Sequence, residues 1–327
     1  MVEFFLTFIE HFSDPRKRVF LGYIFLSILI AFIWLLTIKK LSIANSIKYI
    51  FDKKVIFSKS SLSDLRLFLL NRVFLMFVSP LLVTQLAIAT IIFQFLHSIH
   101  WLSFGIFVQT PKTLIVTSFT VFIFILDDFT KFIIHRWMHK WPILWSLHKV
   151  HHSATSLTPM TIYRTHPLEG VVFTLRGSFT QGISISTFVF FFGNNVDLYT
   201  VIGVNIIIFC VNVAGSNLRH SHIGIQYWRW LEYLIISPAQ HQLHHSIAER
   251  HYDKNFGATL AIWDWIFGSL NHSEDTSELV LGVEHEGVST PHSLYTLYIT
   301  PLVEIFKITT TKVIFFIRTN KNKKNQV

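Results

Sequence analysis

Residues 127–152 read DDFTKFIIHRWMHKWPILWSLHKVHH, and a second short stretch, residues 241–245, reads HQLHH. Positions i, i+3 and i+4 of a helix share one face, so His135 and His139 form a pair, and each H-x-x-H-H presents three imidazoles on one side. Pro142 suits the first turn of a helix carrying His148, His151 and His152. Ser237 followed by Pro238 reads as an N-cap and first helical position for a helix carrying His241, His244 and His245. Eight of the eighteen histidines thus fall in two windows some 90 residues apart, each on a predicted helix end.

The surroundings are apolar. The 327 residues are 51% hydrophobic and 14% charged, with 33 Phe and nine Trp, and the mean hydropathy is +0.47. A soluble chain of this size needs more surface charge, so lipid is the expected solvent. A helix spans a bilayer with about 20 apolar residues. Residues 19–38, 65–95, 113–134, 170–192 and 198–214 meet or approach that length. The second stretch is interrupted by Arg72, Pro80 and Gln85, which predicts either one kinked helix or a re-entrant pair. Gly193-Asn194-Asn195 reads as the turn joining the last two. Residues 294–317 contain Pro301, Glu304, Lys307 and Lys312 and read as an interfacial amphipathic segment.

Lys39, Lys40, Lys48, Lys53, Lys54, Lys59 and Arg66 fill the first loop, whereas residues 96–112 hold one lysine. The positive-inside rule places the first loop, and with it both histidine windows, on the cytoplasmic side. Arg16, Lys17 and Arg18 before the first span pull the other way. The formal charge of +9 reads as juxtamembrane charge facing the bilayer; no nucleic-acid partner is expected, because no helix-turn-helix, finger or RNP-like pattern is present. Cys210 is the single cysteine, so any metal must use histidine and carboxylate. No cleavable signal peptide is expected at the start of the sequence.

Imidazole suits iron, zinc and copper, and eight or more neutral donors can hold two metal ions. So many imidazoles packed together without metal would lose hydration and repel one another when protonated. Ionisable groups near a membrane interior are functional by default. Isolated histidines such as His11, His97, His100, His272 and His292 read instead as surface or interfacial residues.

H-R-x-x-H, then H-x-x-H-H, then a distant H-x-x-H-H resembles the histidine-box signature of the fatty acid hydroxylase/sterol desaturase superfamily, over about residues 120–270. Asp128-Phe129, Leu144-Trp145, Ser153, the Arg164-Thr-His166-Pro-Leu-Glu169 stretch, Asn255-Phe-Gly257 and Trp263-Asp264-Trp-Ile-Phe-Gly268 resemble further family segments. The resemblance implies metal ligation by His135, His139, His148, His151, His152, His241, His244 and His245, with His220 as a further ligand. Some members carry another ligand four residues earlier, where this chain has Ser216, so His222 is a candidate replacement. His166 is either a ligand or a polar neighbour. Asp128, two turns before His135, either orients a ligating imidazole, pairs with Lys131, or caps the interface. Asp127 has no comparable case. Alkylglycerol monooxygenase-like members tend to carry Glu after H-R-x-x-H, whereas this chain has Lys140.

The expectation is therefore an all-α, polytopic membrane helix bundle with a cytoplasmic helical cap holding a di-metal site. Residues 1–112 would form N-terminal membrane helices, 113–272 the catalytic domain, and 273–327 a C-terminal interfacial segment and basic tail. The resemblance implies a membrane-bound non-haem enzyme with two Fe ions that hydroxylates or desaturates a lipid with O₂. An external electron-transfer protein is needed, because no flavin or nicotinamide fingerprint occurs. A zinc protease would want H-E-x-x-H, and neither box supplies that Glu. Bis-histidine haem ligation wants two histidines on facing spans, not triplets. A membrane metal-ion transporter or binding protein is the alternative, and it predicts histidines or carboxylates spread along the spans and internal repeats.

Overall fold

The computed structural model describes residues 9–15, 17–196, 205–283 and 292–311. Helices dominate: α1 Leu21–Thr37, α2 Ile43–Ile50, α3 Lys59–Val78, α4 Gln85–Ser98, α5 Lys112–Lys140, α6 Pro142–His152, α7 Pro167–Phe192, α8 Asn205–Val213, α9 Pro238–His244, α10 Ile262–Ile266, and α11 over residues 294–311. Among the described residues there are no strands, only two isolated bridging pairs, Ile235 with Leu260 and Ser246 with Leu281. The basic tail at residues 321–324, the first part of the fifth expected span and the end of the last apolar run lie outside the described residues.

Local chemistry sets the helix starts. The side chains of Ser42, Ser58 and Thr84 each accept a backbone N–H from the first turn of α2, α3 and α4. Pro111, Pro142 and Pro167 stand at or just before helix starts, where a missing N–H costs nothing. Pro80 lies in the short turn Ser79–Leu81 that breaks the second apolar run. The resulting halves, α3 and α4, do not pack side by side, so the run is a broken helix and not a hairpin.

Helix α4 lies along α7, and Gly182 permits the approach: a Cβ there would come within 2.7 Å of the Ile88 side chain and 3.2 Å of the Ala89 nitrogen. Ile115, Phe119, Ile123 and Phe188 lock α5 to α7. A second core joins α1 and α2 to the segment after α8 through Ala31, Leu35, Ile50, Leu218, Ile223 and Ile225.

Large apolar side chains also face outward along α1, α3, α4 and α5, with Phe77 70% and Leu86 75% exposed. Beside its apolar cores the interior holds serines, asparagines, ion pairs and histidines. Lys59–Ser98 and Lys112–Lys140 are long and apolar enough to cross a membrane. Contiguous exposed apolar surface on this scale marks contact with lipid or protein.

A candidate metal centre built from nine histidines

Helix α5 ends at Lys140 and α6 begins at Pro142, so one extended residue, Trp141, forms the elbow between them. The ring of Trp141 stacks on that of Trp137 at 5.3 Å. This corner turns the last two turns of α5, carrying His135 and His139, toward α6. Helix α9 arrives from the far end of the chain. Its start is a reciprocal cap in which Gln240 N–H donates to Ser237 Oγ at 3.1 Å and Ser237 N–H donates to Gln240 Oε1 at 2.9 Å.

The nine histidines converge into two adjoining groups. His135, His139, His148, His152 and His244 form one; His151, His220, His241 and His245 form the other. Within each group the candidate ligand nitrogens lie within 4.8 Å of one another. Each H-x-x-H-H is divided between the groups, and helix geometry explains how. At 3.6 residues per turn, i and i+4 are about 40° apart, while i+3 falls about 60° to the other side. His148 and His152 therefore stay together while His151 turns to the second group. His241 and His245 stay together while His244 turns to the first. The rings of His152 and His245 stack at 4.5 Å where the groups meet.

Hydrogen bonds orient several rings. His135 Nδ1 donates to the Phe256 carbonyl and His244 Nδ1 to the Lys254 carbonyl, both at 2.7 Å. A carbonyl can only accept, so both protons sit on Nδ1 and both Nε2 atoms carry lone pairs. Those two Nε2 atoms face each other at 3.0 Å with no proton between them. His148 Nδ1 donates to Glu169 Oε1 at 2.7 Å, a carboxylate 1% exposed. His220 differs: the Arg18 guanidinium, which can only donate, stands 3.2 Å from its Nδ1.

Seven buried nitrogens of these rings have no hydrogen-bond partner: His139 Nε2, His148 Nε2, His151 Nδ1, His152 Nε2, His241 Nδ1 and both nitrogens of His245. Each such atom costs about 1–3 kcal/mol, so together they rival the roughly 5–15 kcal/mol net stability of a domain. Protons do not relieve the strain. Burial first, and neighbouring charges next, hold the pKa of His148, His152, His220, His241, His244 and His245 well below the usual imidazole value, and His151 down to about 3. Cations coordinated by neutral imidazoles fit this arrangement, and the donor set suits them.

A backbone device supplies the two orienting carbonyls. Asp253 and Asn255 adopt left-handed conformations, with φ of 59° and 56°, that aim the Lys254 and Phe256 carbonyls at the rings. Asn255 is braced by Gln240 O and Asn271 N. Asp264 accepts from Phe256 N at 2.8 Å, Gly257 N at 2.7 Å and Ser269 Oγ at 2.6 Å. A Cβ at Gly257 would sit 2.5 Å from the Leu260 carbonyl, so only glycine fits.

The structure revises several side-chain expectations. Asp128 touches neither an imidazole nor Lys131. It accepts from Leu260 N and the Trp263 indole, both at 3.0 Å, and so ties the carbonyl-bearing segment to the helix of His135. Asp127 takes the ion pairs instead, with Lys131 at 2.5 Å and Arg176 at 2.8 Å. His166 lies outside both groups: Nδ1 caps α7 through Leu168 N and Nε2 donates to Tyr298 O, so both nitrogens are used. His222 is also apart, donating to Tyr49 O at 2.8 Å, and Ser216 Oγ donates to Asn212. His11, expected at the surface, is 4% exposed and meets the rings of Phe68 and Tyr163 edge-on. Glu169 escaped the sequence reading as a histidine partner, although its motif places it beside a helix start.

Residues 120–269 match the fatty acid hydroxylase family. The stretch carries all nine converging histidines and the segment that orients them. The matched segment belongs to the fatty acid hydroxylase/sterol desaturase superfamily. Curated relatives agree. Alkylglycerol monooxygenase of Homo sapiens is 25% identical over 169 residues, 48% of this chain and 31% of that protein. Lathosterol oxidase of Homo sapiens is 27% identical over 158 residues, 48% of this chain and 46% of the relative. A Delta(7)-sterol 5(6)-desaturase of Gibberella zeae is 28% identical over 137 residues, 42% of this chain and 38% of the relative. The chain thus spans less than half the length of each of these relatives. No solved structure matches it.

Proposed function

We propose that this chain is an integral-membrane, non-haem di-iron oxygenase that hydroxylates or desaturates a lipid, using O₂ and electrons from a separate protein. The observation that carries the reading is the pair of all-histidine groups, in which several buried nitrogens lack partners and the proton-free Nε2 atoms of His135 and His244 face each other, inside a segment that matches the fatty acid hydroxylase family. His135, His139, His148, His152 and His244 would hold one ion and His151, His220, His241 and His245 the other. Two irons bound there would supply O₂ activation and the removal of hydrogen from an unactivated C–H bond.

The chain's own residues do the positioning. Glu169 and the carbonyls of Lys254 and Phe256 keep the Nδ1 protons of His148, His244 and His135 pointed outward, so that Nε2 lone pairs face the centre. A carboxylate on the far nitrogen also raises ligand basicity. Burial of His148, His151, His152 and His241 through His245 keeps water from the reacting centre.

Membrane embedding follows from the outward-facing apolar helices. Helix α5 has 29 residues, about 43 Å at 1.5 Å per residue, against a hydrocarbon core of about 30 Å. Its last turns, with His135 and His139, then emerge at the interface. The basic first loop supports a cytoplasmic location for the site, within reach of a soluble or peripheral electron donor.

The test is O₂ consumption by the purified, iron-loaded chain with a chemical or enzymatic reductant and candidate lipids. Lipid-dependent uptake with hydroxylated or desaturated product supports the reading. Reversible metal flux in vesicles without lipid oxidation would replace it with transport.

A further inference from the structure

An apolar cavity of about 400 Å³ lies between α1, α3 and the turn Ser216–His220. Ile28, Ala31, Phe57, Met160 and Leu218 form much of its wall. None of the nine converging histidines lines it, so a molecule bound there is held away from the metal centre. The size falls within the range of small-molecule sites. The wall reaches the outer surface on α3, where Leu62 and Leu65 are each 41% exposed. An acyl chain lying along the apolar outer face of α3 is within reach of it.

Phe51 lines this cavity and also a second hollow, of about 700 Å³. Lys48, Lys53 and Lys54 stand around the second hollow, with Asp52 as its single carboxylate. Asp52 Oδ1 accepts the Lys54 backbone N–H at 2.8 Å. The three lysines are exposed and form no ion pair among the described residues. The hollow thus holds a surplus of unpaired positive charge next to an apolar chamber. Helix α2, which carries Lys48, turns Ile43 and Ile47 outward, 64% and 48% exposed, while Ser46 and Ile50 are buried. Outward apolar side chains beside exposed lysines are the pattern of a segment seated at an anionic membrane interface.

We infer that the two hollows together bind one anionic phospholipid that is not the substrate, its acyl chain in the apolar cavity and its phosphate against Lys48, Lys53 and Lys54. The inference rests on the membrane part of the proposed function and not on the oxygenase part. Each half excludes a simpler occupant. Free phosphate would leave the apolar cavity unfilled, and a lipid without net charge would leave the lysines unmatched. The shared residue, Phe51, stands where the glycerol backbone would join chain to headgroup. The bound chain would also pack against Leu218 and Ile223, which belong to the core around the turn of His220. Occupancy therefore braces that turn, and a ligand that binds only the folded chain raises its stability.

The experiment titrates the purified full chain, in uncharged detergent, with phosphatidylglycerol, phosphatidylcholine and inorganic phosphate. Native mass spectrometry counts the lipid retained, and thermal unfolding reads its effect. One phosphatidylglycerol per chain should be held about tenfold more tightly than phosphatidylcholine, the scale of a few juxtamembrane lysines meeting an anionic headgroup. It should raise the Tm, and phosphate alone should not. Replacing the three exposed lysines together (Lys48→Gln, Lys53→Gln, Lys54→Gln) should abolish the preference, and Leu62→Trp should weaken retention of both lipids. The lysine variant changes only exposed side chains, so it decides the matter if the Trp variant fails to fold. Equal retention of the two lipids by the unaltered chain overturns the inference. A preference that survives the lysine variant, or stabilisation by phosphate equal to that by phosphatidylglycerol, overturns it as well. Selective retention by a chain that oxidises no lipid supports the site while the oxygenase reading fails alone.

Discussion

His135 and His244, separated by 109 residues, face each other through Nε2 atoms 3.0 Å apart, each ring having committed its Nδ1 proton to a backbone carbonyl. Two lone pairs at that distance repel. A cation between them converts the repulsion into two bonds, and this contact is the most specific sign that the fold is built to be loaded.

Replacing either partner therefore removes metal more than it disturbs the fold. His135→Ala and His244→Ala should each cut bound iron to less than half and abolish lipid oxidation, while membrane insertion and helix content persist. His100→Ala is the matched control, since that residue is exposed and outside both groups. Metal analysis and circular dichroism on the same preparations check this.

Glu169→Gln should weaken metal retention about 10- to 100-fold, the usual effect of losing an orienting partner of a ligating histidine. Gln can still accept from His148 Nδ1, so the loss should be smaller than in Glu169→Ala. Titration with a competing chelator measures the difference.

Acid should destabilise the metal-free protein steeply. The folded-state pKa of His148, His151, His152, His220, His241, His244 and His245 lies below the usual 6.5, so below pH 6.5 the unfolded chain binds more protons. Stability is then highest above pH 6.5 and falls as pH drops toward the folded values. Each histidine contributes up to about 1.4 kcal/mol per pH unit in that window. Thermal unfolding in detergent should show a flat Tm from pH 7 to 8 and a sharp fall from pH 6.5 to 5, blunted by bound metal.

Gly257→Ala should cost about 1–3 kcal/mol of stability and also loosen metal binding, because its Cβ would meet the Leu260 carbonyl at 2.5 Å in the segment that aims the Phe256 carbonyl at His135. An unfolding midpoint lowered without metal loss would show that the segment is not coupled to the site.

The helices, their caps at Ser237 and Pro142, and the identities of the converging histidines were readable in the sequence, because helical periodicity and cap chemistry are local. The split of each H-x-x-H-H was not, although it follows from the same periodicity once three helices are seen to meet. Backbone carbonyls carry no letter, so the partners of His135 and His244 could not be read at all. Asp128 was misjudged for a similar reason: spacing along α5 put it on the side of His135, but only packing shows that Trp263 and Leu260 reach it first, and that Glu169 is the carboxylate on His148. His11 looked isolated because its partners, Phe68 and Tyr163, come from far along the chain.

The metal content of the purified full chain, expressed with iron and quantified against amino-acid analysis, tests the central claim most directly. Two irons per chain, released together by a chelator, are predicted. One ion per chain, or none after reconstitution with Fe(II), would contradict the assignment of two histidine groups to two metals.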